Sequence, residues 1–203
     1  MTENRIETSV KDQELIAKRR QQMIKGAISL FKEKGFHRTT TREIAKESGF
    51  SIGTLYEYIR TKEDVLFLVC DAIYEQVRKR LEDTIQSDSP SIDNLIFVVK
   101  KYFVVMDEMQ EEVIIMYQEV KSLKKPAQDY VLQKERDMVN MLKEAIVTCL
   151  PDTLTELDAE LLANNIFIQG QMWGFRRWIL QKRFTLETYV DKQVQFLLSS
   201  LAK

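Results

Sequence analysis

The stretch TTTREIAKESGFSIGTLYEYIRTKEDVL, residues 39–66, decides the predicted fold of the N-terminal part of the chain. It contains two short helical runs separated at Gly49, and neither is long enough to be stable alone in water. Two short helices joined by a turn that contains a glycine form a helix-turn-helix, whose second helix lies in the major groove of DNA. The stretch therefore predicts a DNA-binding unit.

Capping residues mark where the helices of this unit begin. Thr40 and Glu43 have the T-x-x-E spacing of a capping box, in which each side chain binds a free amide of the first helical turn. Ser51 is expected to cap a helix over residues 52–59, and Thr61 with Asp64 to open a long helix over 61–86. Leu55 and Ile59 lie one turn apart and are predicted to pack on Ile44.

The residues left on the outer face of the second helix have the chemistry of a DNA contact. Gly53 lets the backbone approach DNA, and Thr54 offers a methyl and a hydroxyl to a thymine methyl or a phosphate. The hydroxyls of Tyr56 and Tyr58 are expected to reach phosphate oxygens, and Lys62 adds a cation at a helix start. The complete predicted set is Thr40, Thr41, Arg42, Ser51, Gly53, Thr54, Tyr56, Tyr58 and Lys62. A three-helix core with aromatic caps and no ligand is the alternative.

Charge supports a polyanion as the partner of this part only. From residue 15 to 62 the chain has 11 Lys+Arg and 4 Asp+Glu, a net charge of +7. The other residues have 19 and 27, a net charge of −8, so the whole chain carries −1. A basic unit on an acidic body is typical of a protein that binds nucleic acid through one part.

The whole chain of 203 residues is predicted to be all-α. Only 6 Gly and 3 Pro interrupt it, and no period-2 alternation of a strand persists. About nine helices are expected, in three parts: a disordered tail over 1–12, a helix-turn-helix domain over 13–66, and a helical domain over 67–203. The predicted helices of the last domain after Pro90 cover 91–109, 111–123, 126–149, 157–182 and 185–201.

The C-terminal domain is rich in methionine and aromatic residues, which suit a pocket for apolar ligands of variable shape. The candidate ligand-binding residues are Phe103, Met106, Met116, Tyr117, Met141, Phe167 and Trp173. The alternative is that these residues simply fill a core.

The last two predicted helices are long and amphipathic, and a palindromic DNA site needs two heads. Two such helices from each chain are therefore expected to form a four-helix dimer seam. The candidate seam residues are Gly170, Gly174, Phe175, Trp178, Val190, Val194 and Leu197. Packing within one chain is the alternative.

The sequence FHRTTTREIAKESGFSIGTLYEYIRTKEDVL, residues 36–66, closely resembles the DNA-binding domain of tetracycline-repressor-type (TetR) bacterial regulators. The shared residues include Gly35 with Phe36, the GTLY run at 53–56, and the KE pair at 62–63. The resemblance implies DNA contacts at Thr41, Arg42, Gly53, Thr54, Tyr56, Tyr58 and Lys62. Ile59 stands where the family usually has Phe, which implies only a smaller core residue. Ile52 stands where some members have a polar base reader, so an apolar contact is expected there.

The resemblance further implies a homodimer that binds a palindromic operator and releases it when a hydrophobic small molecule enters the C-terminal domain. The run YQEVKSL, 117–123, resembles the acyl-CoA-responsive branch, so long-chain acyl-CoA is the first candidate effector. Lipophilic cations, for a repressor of drug efflux, are the second. An architectural DNA-binding protein without an effector is the alternative function.

An enzyme is not expected, because no catalytic motif accompanies the single histidine, His37. Neither a cofactor nor a metal site is predicted, since two cysteines and one histidine are too few for structural zinc. Cys70 and Cys149 lie in apolar surroundings and are interpreted as reduced thiols of a cytoplasmic protein. The polar N-terminus is unlike a signal peptide, and no apolar run reaches the ~18 residues that a membrane span needs.

Overall fold

Ten α-helices and one short 3-10 helix make up the part of the chain that the computed structural model describes, which is residues 6, 8, 12–85, 90–151 and 153–201. The predicted tail over 1–12 lies largely outside these residues. The helices are α1 (Gln13–Lys34), α2 (Thr41–Glu47), α3 (Ile52–Tyr56), α4 (Lys62–Ile85), α5 (Ile92–Glu108), α6 (Gln110–Glu119), the 3-10 helix (Val120–Ser122), α7 (Lys125–Cys149), α8 (Glu156–Phe175), α9 (Arg177–Leu180) and α10 (Leu186–Leu201).

The predicted all-α class is confirmed, and most predicted helices agree with the observed ones within a few residues. The predicted helix 157–182 is wrong in one respect, because α8 ends at Phe175 and a separate short helix, α9, follows Arg176. Arg176 leaves the helical conformation at φ −110° and ψ 24°. The predicted helix 111–123 likewise divides into α6 and the 3-10 helix. No helix among the described residues is long and apolar enough to cross a membrane.

The chain divides into two compact units, each with its own packing. The first contains residues 1–75 and 115–133, and the second contains residues 76–114 and 134–203. Three helices, α4, α6 and α7, contribute residues to both units. The predicted division of the chain by function, with a boundary between residues 66 and 67, is a separate matter from these compact units and stays a prediction.

In the first unit, α1 packs on α2 and α2 packs on α3. Met23, Ile44, Leu55 and Ile59 are fully buried, as the helical spacing of these residues predicts. The turn between α2 and α3 contains Gly49 at a φ of 76°, a left-handed conformation that glycine adopts without steric cost. This turn therefore fixes the angle at which α3 leaves α2.

In the second unit, α5 is the central helix and packs against α8 and α10. Leu95, Val98, Tyr102 and Phe103 of α5 are almost completely buried. Ser91 caps the helix by accepting a hydrogen bond from the backbone N–H of Asn94 at 3.2 Å. A helix with this much apolar surface belongs in the middle of a core, and α5 accordingly positions the aromatic residues described below.

Candidate DNA-binding and effector sites

The predicted capping box at the start of α2 is present. The backbone N–H of Glu43 donates to Thr40 Oγ1 at 3.3 Å, and the backbone N–H of Thr40 donates to Glu43 Oε2 at 2.9 Å. Lys34 of α1 forms an ion pair with the same carboxylate. The bonds from Lys34 and Thr40 lower the pKa of Glu43 from its ordinary 4.5 to about 2. Thr40, Thr41 and Arg42 are thereby held on the outer surface of the unit.

A similar cap fixes the start of α3. Ser51 Oγ accepts from the backbone N–H of Thr54 at 3.0 Å, and the Ser51 and Thr54 hydroxyls lie 3.0 Å apart. The hydroxyls of Thr41 and Tyr56 lie 3.1 Å apart, which joins the start of α2 to the end of α3. Tyr56 is 47% exposed. Two pairs of predicted DNA-contact residues, Thr41 with Tyr56 and Ser51 with Thr54, are therefore joined by hydrogen bonds.

Gly53 lies on the exposed side of α3, where the protein itself leaves room for a side chain. A Cβ at this position would meet only Ser51 Oγ, at an ordinary contact distance of 3.7 Å. Gly26 of α1 is the opposite case, because a Cβ there would lie 2.8 Å from Ser48 Oγ and 3.2 Å from Ser48 N. The fold therefore needs glycine at residue 26 and does not need it at residue 53.

Tyr58 and Lys62 differ from their predicted placement on the DNA-facing surface. Tyr58 is only 2% exposed, so its ring belongs to the core of the first unit. Lys62 Nζ donates to the backbone carbonyls of Phe36, His37 and Thr39 at 3.0, 3.3 and 3.0 Å. Its three N–H donors match these three acceptors in number, and Nζ also lies 4.3 Å from the Phe36 ring centroid. Lys62 thus holds together the turn between α1 and α2.

The first unit also joins this turn to later parts of the chain. His37 Nε2 lies 3.3 Å from Glu119 Oε2 at the end of α6. Tyr130 of α7 donates its hydroxyl to Asp71 Oδ1 of α4 at 2.8 Å, and its ring lies 5.3 Å from that of Phe67. Glu119 and Tyr130 of the predicted effector domain therefore contact the turn before α2 and the helix α4.

Three of the predicted ligand-binding residues meet in the second unit. Phe103, Phe167 and Trp173 are buried in one aromatic cluster with Tyr102 and Tyr189. The ring centroids of neighbouring members are 5.0–6.0 Å apart. We call these five residues the aromatic cluster.

Buried hydrogen bonds fix the polar atoms of the aromatic cluster. Tyr102 donates its hydroxyl to Phe167 O at 2.8 Å, and Tyr189 donates to Gln169 O at 2.9 Å. Trp173 Nε1 donates to Asp107 Oδ1 at 2.5 Å. Burial raises the pKa of Tyr189 above its ordinary value. The cluster is consequently closed in this structure, and a ligand would have to move at least one ring to enter it.

The other four predicted ligand-binding residues are not members of the aromatic cluster. Met106 is buried close to Gly170, where a Cβ would lie 3.1 Å from Met106 Cγ. Met141 borders a recess of about 170 Å³ that Val98 and Cys149 also line. Met116 and Tyr117 belong to the first unit, where Met116 is buried and Tyr117 is 61% exposed. The seven residues are therefore divided between the two units, five in the second and two in the first.

Most of the predicted dimer-seam residues have contacts within the chain. A Cβ at Gly170 would lie 2.4 Å from Tyr102 Cε1, and one at Gly174 would lie 3.0 Å from Gln110 Cβ. Val190, Val194 and Leu197 of α10 are at most 7% exposed, and Phe175 is half-buried. Trp178 is 59% exposed. At the two glycines, the close approach of helices that the spacing predicts takes place between α8 and residues of the same chain.

Sequence reasoning missed a different set of apolar residues on the same helices. Leu157, Leu161 and Ile168 of α8 and Phe196 of α10 are 78%, 62%, 50% and 64% exposed. Those of α8 follow one another at intervals of four and seven residues, the spacing of a single helix face. That spacing is the feature of the sequence from which this apolar face of α8 could be predicted. Tyr102 and Tyr189, which complete the aromatic cluster, had no comparable signal because they lie far apart in the sequence.

Comparisons with known proteins agree with this architecture. The family described as "Bacterial regulatory proteins, tetR family" matches residues 23–69. The HTH-type transcriptional regulator HbdR of Aromatoleum sp. (strain CIB) is 26% identical over 193 residues, covering 95% of this chain and 84% of that protein. Because the match extends through the C-terminal domain, the likeness is not confined to the helix-turn-helix.

Solved structures show the same fold at lower identity. A bacterial regulatory protein of the tetR family from Rhodococcus RHA1 superposes with a TM-score of 0.77 at 21% identity, covering 90% of this chain and 96% of that chain. AibR in complex with isovaleryl coenzyme A and operator DNA superposes with a TM-score of 0.71 at 20% identity, covering 88% and 97%. The predicted resemblance to the TetR family is confirmed: residues 23–69 match its DNA-binding domain, and the relative that matches along most of the chain is a transcriptional regulator rather than an enzyme.

Proposed function

We propose that this regulator is a repressor that binds a palindromic operator as a homodimer and is released by a hydrophobic small molecule, an acyl-CoA. The proposal assigns DNA binding to residues 13–66, and effector binding with dimerisation to residues 67–203. The observation that carries it is the surface of α2 and α3, where hydrogen-bonded polar side chains accompany an exposed glycine that the fold does not require.

The proposed DNA contacts are the exposed members of this surface. Gly53 and Thr54 lie in the first turn of α3, the part of a recognition helix that approaches base edges. Arg42 and Thr41 lie in the first turn of α2 and Tyr56 at the end of α3, and their donors suit phosphate oxygens. Thr40 and Ser51 contribute mainly by holding the two helix starts. Tyr58 lies in the core of the unit and Lys62 binds the turn between α1 and α2, so neither is proposed as a direct DNA contact.

The proposed dimer seam consists of the exposed apolar residues of α8 and α10. Leu157, Leu161, Ile168 and Phe196 present apolar surface that a second copy would remove from water. A two-fold dimer presents two heads in the symmetry of a palindromic site. Trp178 is exposed as well, but it lies in a basic segment and is treated separately below.

The proposed effector site is the aromatic cluster with its neighbour Met106. The solved structure of AibR is a complex with isovaleryl coenzyme A and operator DNA, which supports an acyl-CoA as the class to test here. Displacing Tyr102 or Tyr189 would open space against Phe103, Phe167 and Trp173. The cost of breaking the tyrosine hydrogen bonds has to be repaid by burying the acyl chain, so longer chains should bind more tightly.

Coupling to DNA is proposed to use the helices that the two units share. Residues 62–75 of α4 belong to the unit that contains the DNA-binding surface, and residues 76–85 belong to the other unit. The contact between His37 Nε2 and Glu119 Oε2 ties the turn before α2 to the end of α6. An effector that shifts α4 or α6 would change the spacing of the two heads, which must lie about 34–36 Å apart to enter successive major grooves.

Reciprocal titrations test this function. The operator is first selected from random duplex DNA with the purified protein, and acyl-CoAs of increasing chain length are then titrated with and without it. We expect operator affinity to fall by about 5- to 150-fold at saturating effector, which corresponds to a coupling of ~1–3 kcal/mol. Linkage requires operator DNA to weaken effector binding by the same factor. Ligands that bind equally well in both conditions would favour the architectural alternative.

A further inference from the structure

A basic and aromatic segment separates α8 from α10. It comprises residues 176–184, RRWILQKRF, and includes α9. Its cations are Arg176, Arg177, Lys182 and Arg183, and the sequence has no Asp or Glu between Glu160 and Glu187. The chain outside residues 15–62 is otherwise acidic, with the net charge of −8 given above. We call residues 176–184 the basic segment.

The four cations of the basic segment are exposed and form no ion pair with an acidic residue that the structure describes. No acidic side chain lies within ion-pair distance of any of them among the residues that the structure describes. Other cations of the same unit are paired: Lys100 Nζ lies 2.8 Å from Asp191 Oδ1, and Lys143 Nζ lies 2.9 Å from Glu156 Oε1. Four like charges without counter-charges within about ten residues repel one another, and an anion that binds among them removes this repulsion.

The segment also presents a planar apolar surface beside its charges. Trp178 is 59% exposed, and Ile179 and Phe184 are 41% and 39% exposed. An exposed indole next to guanidinium groups can stack on a planar aromatic base while the guanidinium groups bind phosphate. A ligand with both phosphate groups and a base is a nucleotide, so the chemistry of the segment matches a nucleotide better than a simple anion.

Hydrogen bonds fix the basic segment beside the aromatic cluster. Gln181 Nε2 donates to Gln110 Oε1 at 2.9 Å and to Trp173 O at 3.3 Å. The N–H groups of Ile179 and Leu180 both donate to Arg176 O at 2.9 Å. Trp173 belongs to the aromatic cluster and lies only four residues before Arg177. The cations are therefore held at the end of the helix whose preceding turns supply the proposed acyl site.

We propose that the basic segment binds the phosphorylated nucleotide portion of coenzyme A while the acyl chain enters the aromatic cluster. Arg176, Arg177, Lys182 and Arg183 bind the phosphate groups, and Trp178 stacks on the adenine ring. The assignment rests on the acyl-CoA effector class proposed above. It assigns Trp178 to the effector rather than to the dimer seam, where two basic segments facing each other would repel.

A matched pair of charge variants tests the assignment. Arg177→Gln with Arg183→Gln removes two charges from the basic segment, and Lys79→Gln with Lys192→Gln removes two exposed charges elsewhere in the same unit. Binding of free coenzyme A, which has no acyl chain, and of oleate, which has no nucleotide, is measured by calorimetry with each protein. Far-ultraviolet circular dichroism verifies that both variants keep the helical content of the natural protein.

We expect coenzyme A affinity to fall by about tenfold or more in the Arg177/Arg183 variant, because hydrogen bonds between charged groups are lost. It should change by less than about twofold in the Lys79/Lys192 variant, where only screened long-range charge is removed. Oleate affinity should be the same in all three proteins. Replacing Trp178 by Ala should also weaken the binding of coenzyme A. The natural protein should bind 3′-dephospho-coenzyme A more weakly than coenzyme A.

Three results would overturn the assignment. One is that coenzyme A does not bind the natural protein, and another is that it binds the Arg177/Arg183 variant equally well. A third is that this variant instead loses operator affinity with a salt slope flattened by about 0.9 per cation, which would make the segment a DNA contact. Release from operator DNA is measured separately. If an acyl-CoA releases both the natural protein and the Arg177/Arg183 variant from operator DNA, the proposed effector function is supported and the assignment of the basic segment is refuted. If coenzyme A binding needs the basic segment but no acyl-CoA releases operator DNA, the assignment is supported and the proposed effector function is refuted.

Discussion

At the scale of single residues, Gly53 separates the needs of the fold from those of DNA binding. Gly53→Ala introduces a methyl group into open space on α3, and it should raise the unfolding free energy by about 0.5–1 kcal/mol because alanine is the better helix residue. The same methyl would stand between the backbone and DNA, so operator affinity should fall. Thermal unfolding and fluorescence anisotropy with labelled operator measure the two effects.

Gly26→Ala is the matched control in the same unit. Its methyl group would collide with Ser48, so overpacking should lower the unfolding free energy by about 1–3 kcal/mol. Any loss of operator binding should then follow the loss of folded protein. Equal operator affinity in Gly53→Ala and the natural protein would show that α3 does not approach DNA at this residue.

Lys62 shows a side chain whose role is decided by its hydrogen bonds. Lys62→Met keeps an apolar stem over the Phe36 ring and removes the three bonds to the carbonyls of residues 36, 37 and 39. We expect a loss of about 1–3 kcal/mol in unfolding free energy, because these bonds come from a charged donor. The salt dependence of operator binding should stay the same, as measured by anisotropy between about 50 and 200 mM salt.

Arg42→Met is the comparison for Lys62, since Arg42 is exposed and is a proposed phosphate contact. It should leave stability almost unchanged and reduce the magnitude of the salt slope by about 0.9. If Lys62→Met also reduces the slope by this amount, Lys62 leaves its carbonyl partners in the complex and binds a phosphate after all.

At the scale of one element, the start of α2 depends on the charge of Glu43. Because the folded pKa of Glu43 is lowered to about 2 from 4.5, its contribution to stability is fully present above pH 4.5. The contribution is lost as the pH falls from 4.5 to about 2. Glu43→Gln has no carboxylate to titrate at this residue. The natural protein should therefore be more stable than Glu43→Gln at neutral pH, and this difference in stability should disappear as the pH falls from 4.5 to about 2.

Denaturant unfolding of both proteins from pH 7 to pH 2 measures this difference. Glu47→Gln is a useful control on the same helix, because Glu47 is exposed and belongs to neither the capping box nor the pair with Lys34. A stability difference between natural protein and Glu43→Gln that stays constant down to pH 2 would mean that the ion pair with Lys34 does not persist in solution.

At the scale of the whole molecule, the exposed face of α8 should hold two chains together. Leu161→Glu with Ile168→Glu places charges on this face, and burying them in a dimer would be costly. Because both residues are at least 50% exposed in the single chain, helical content should be unchanged. Sedimentation velocity should show a monomer, and operator affinity should fall because a single head binds half a site.

Val147→Glu is the matched control, since Val147 of α7 is an apolar residue with 49% exposure on another helix. It should remain a dimer under the same conditions. A dimer that survives the change at residues 161 and 168 would place the interface on a different surface of the chain.

The sequence by itself determined the features that depend on near neighbours. The T-x-x-E box, the caps at Ser51 and Thr61, and the buried spacing of Ile44, Leu55 and Ile59 are all local, and the structure contains them as predicted. The all-α class and the family followed from the same kind of signal. Caps and helical spacing act within one or two turns, so a single sequence specifies them before any tertiary contact forms.

Only the tertiary structure decided where several chemically suitable side chains lie. Lys62 reads as a phosphate contact in the sequence, but its acceptors are 23 to 26 residues earlier in the chain. Phe167 joins the aromatic cluster through Tyr102, which is 65 residues earlier in the chain, and Trp173 joins it through Tyr189. Which apolar residues of α8 face inward depends on the position of α5. Long-range packing chooses among the faces of a helix, and the helical period alone does not name its partner.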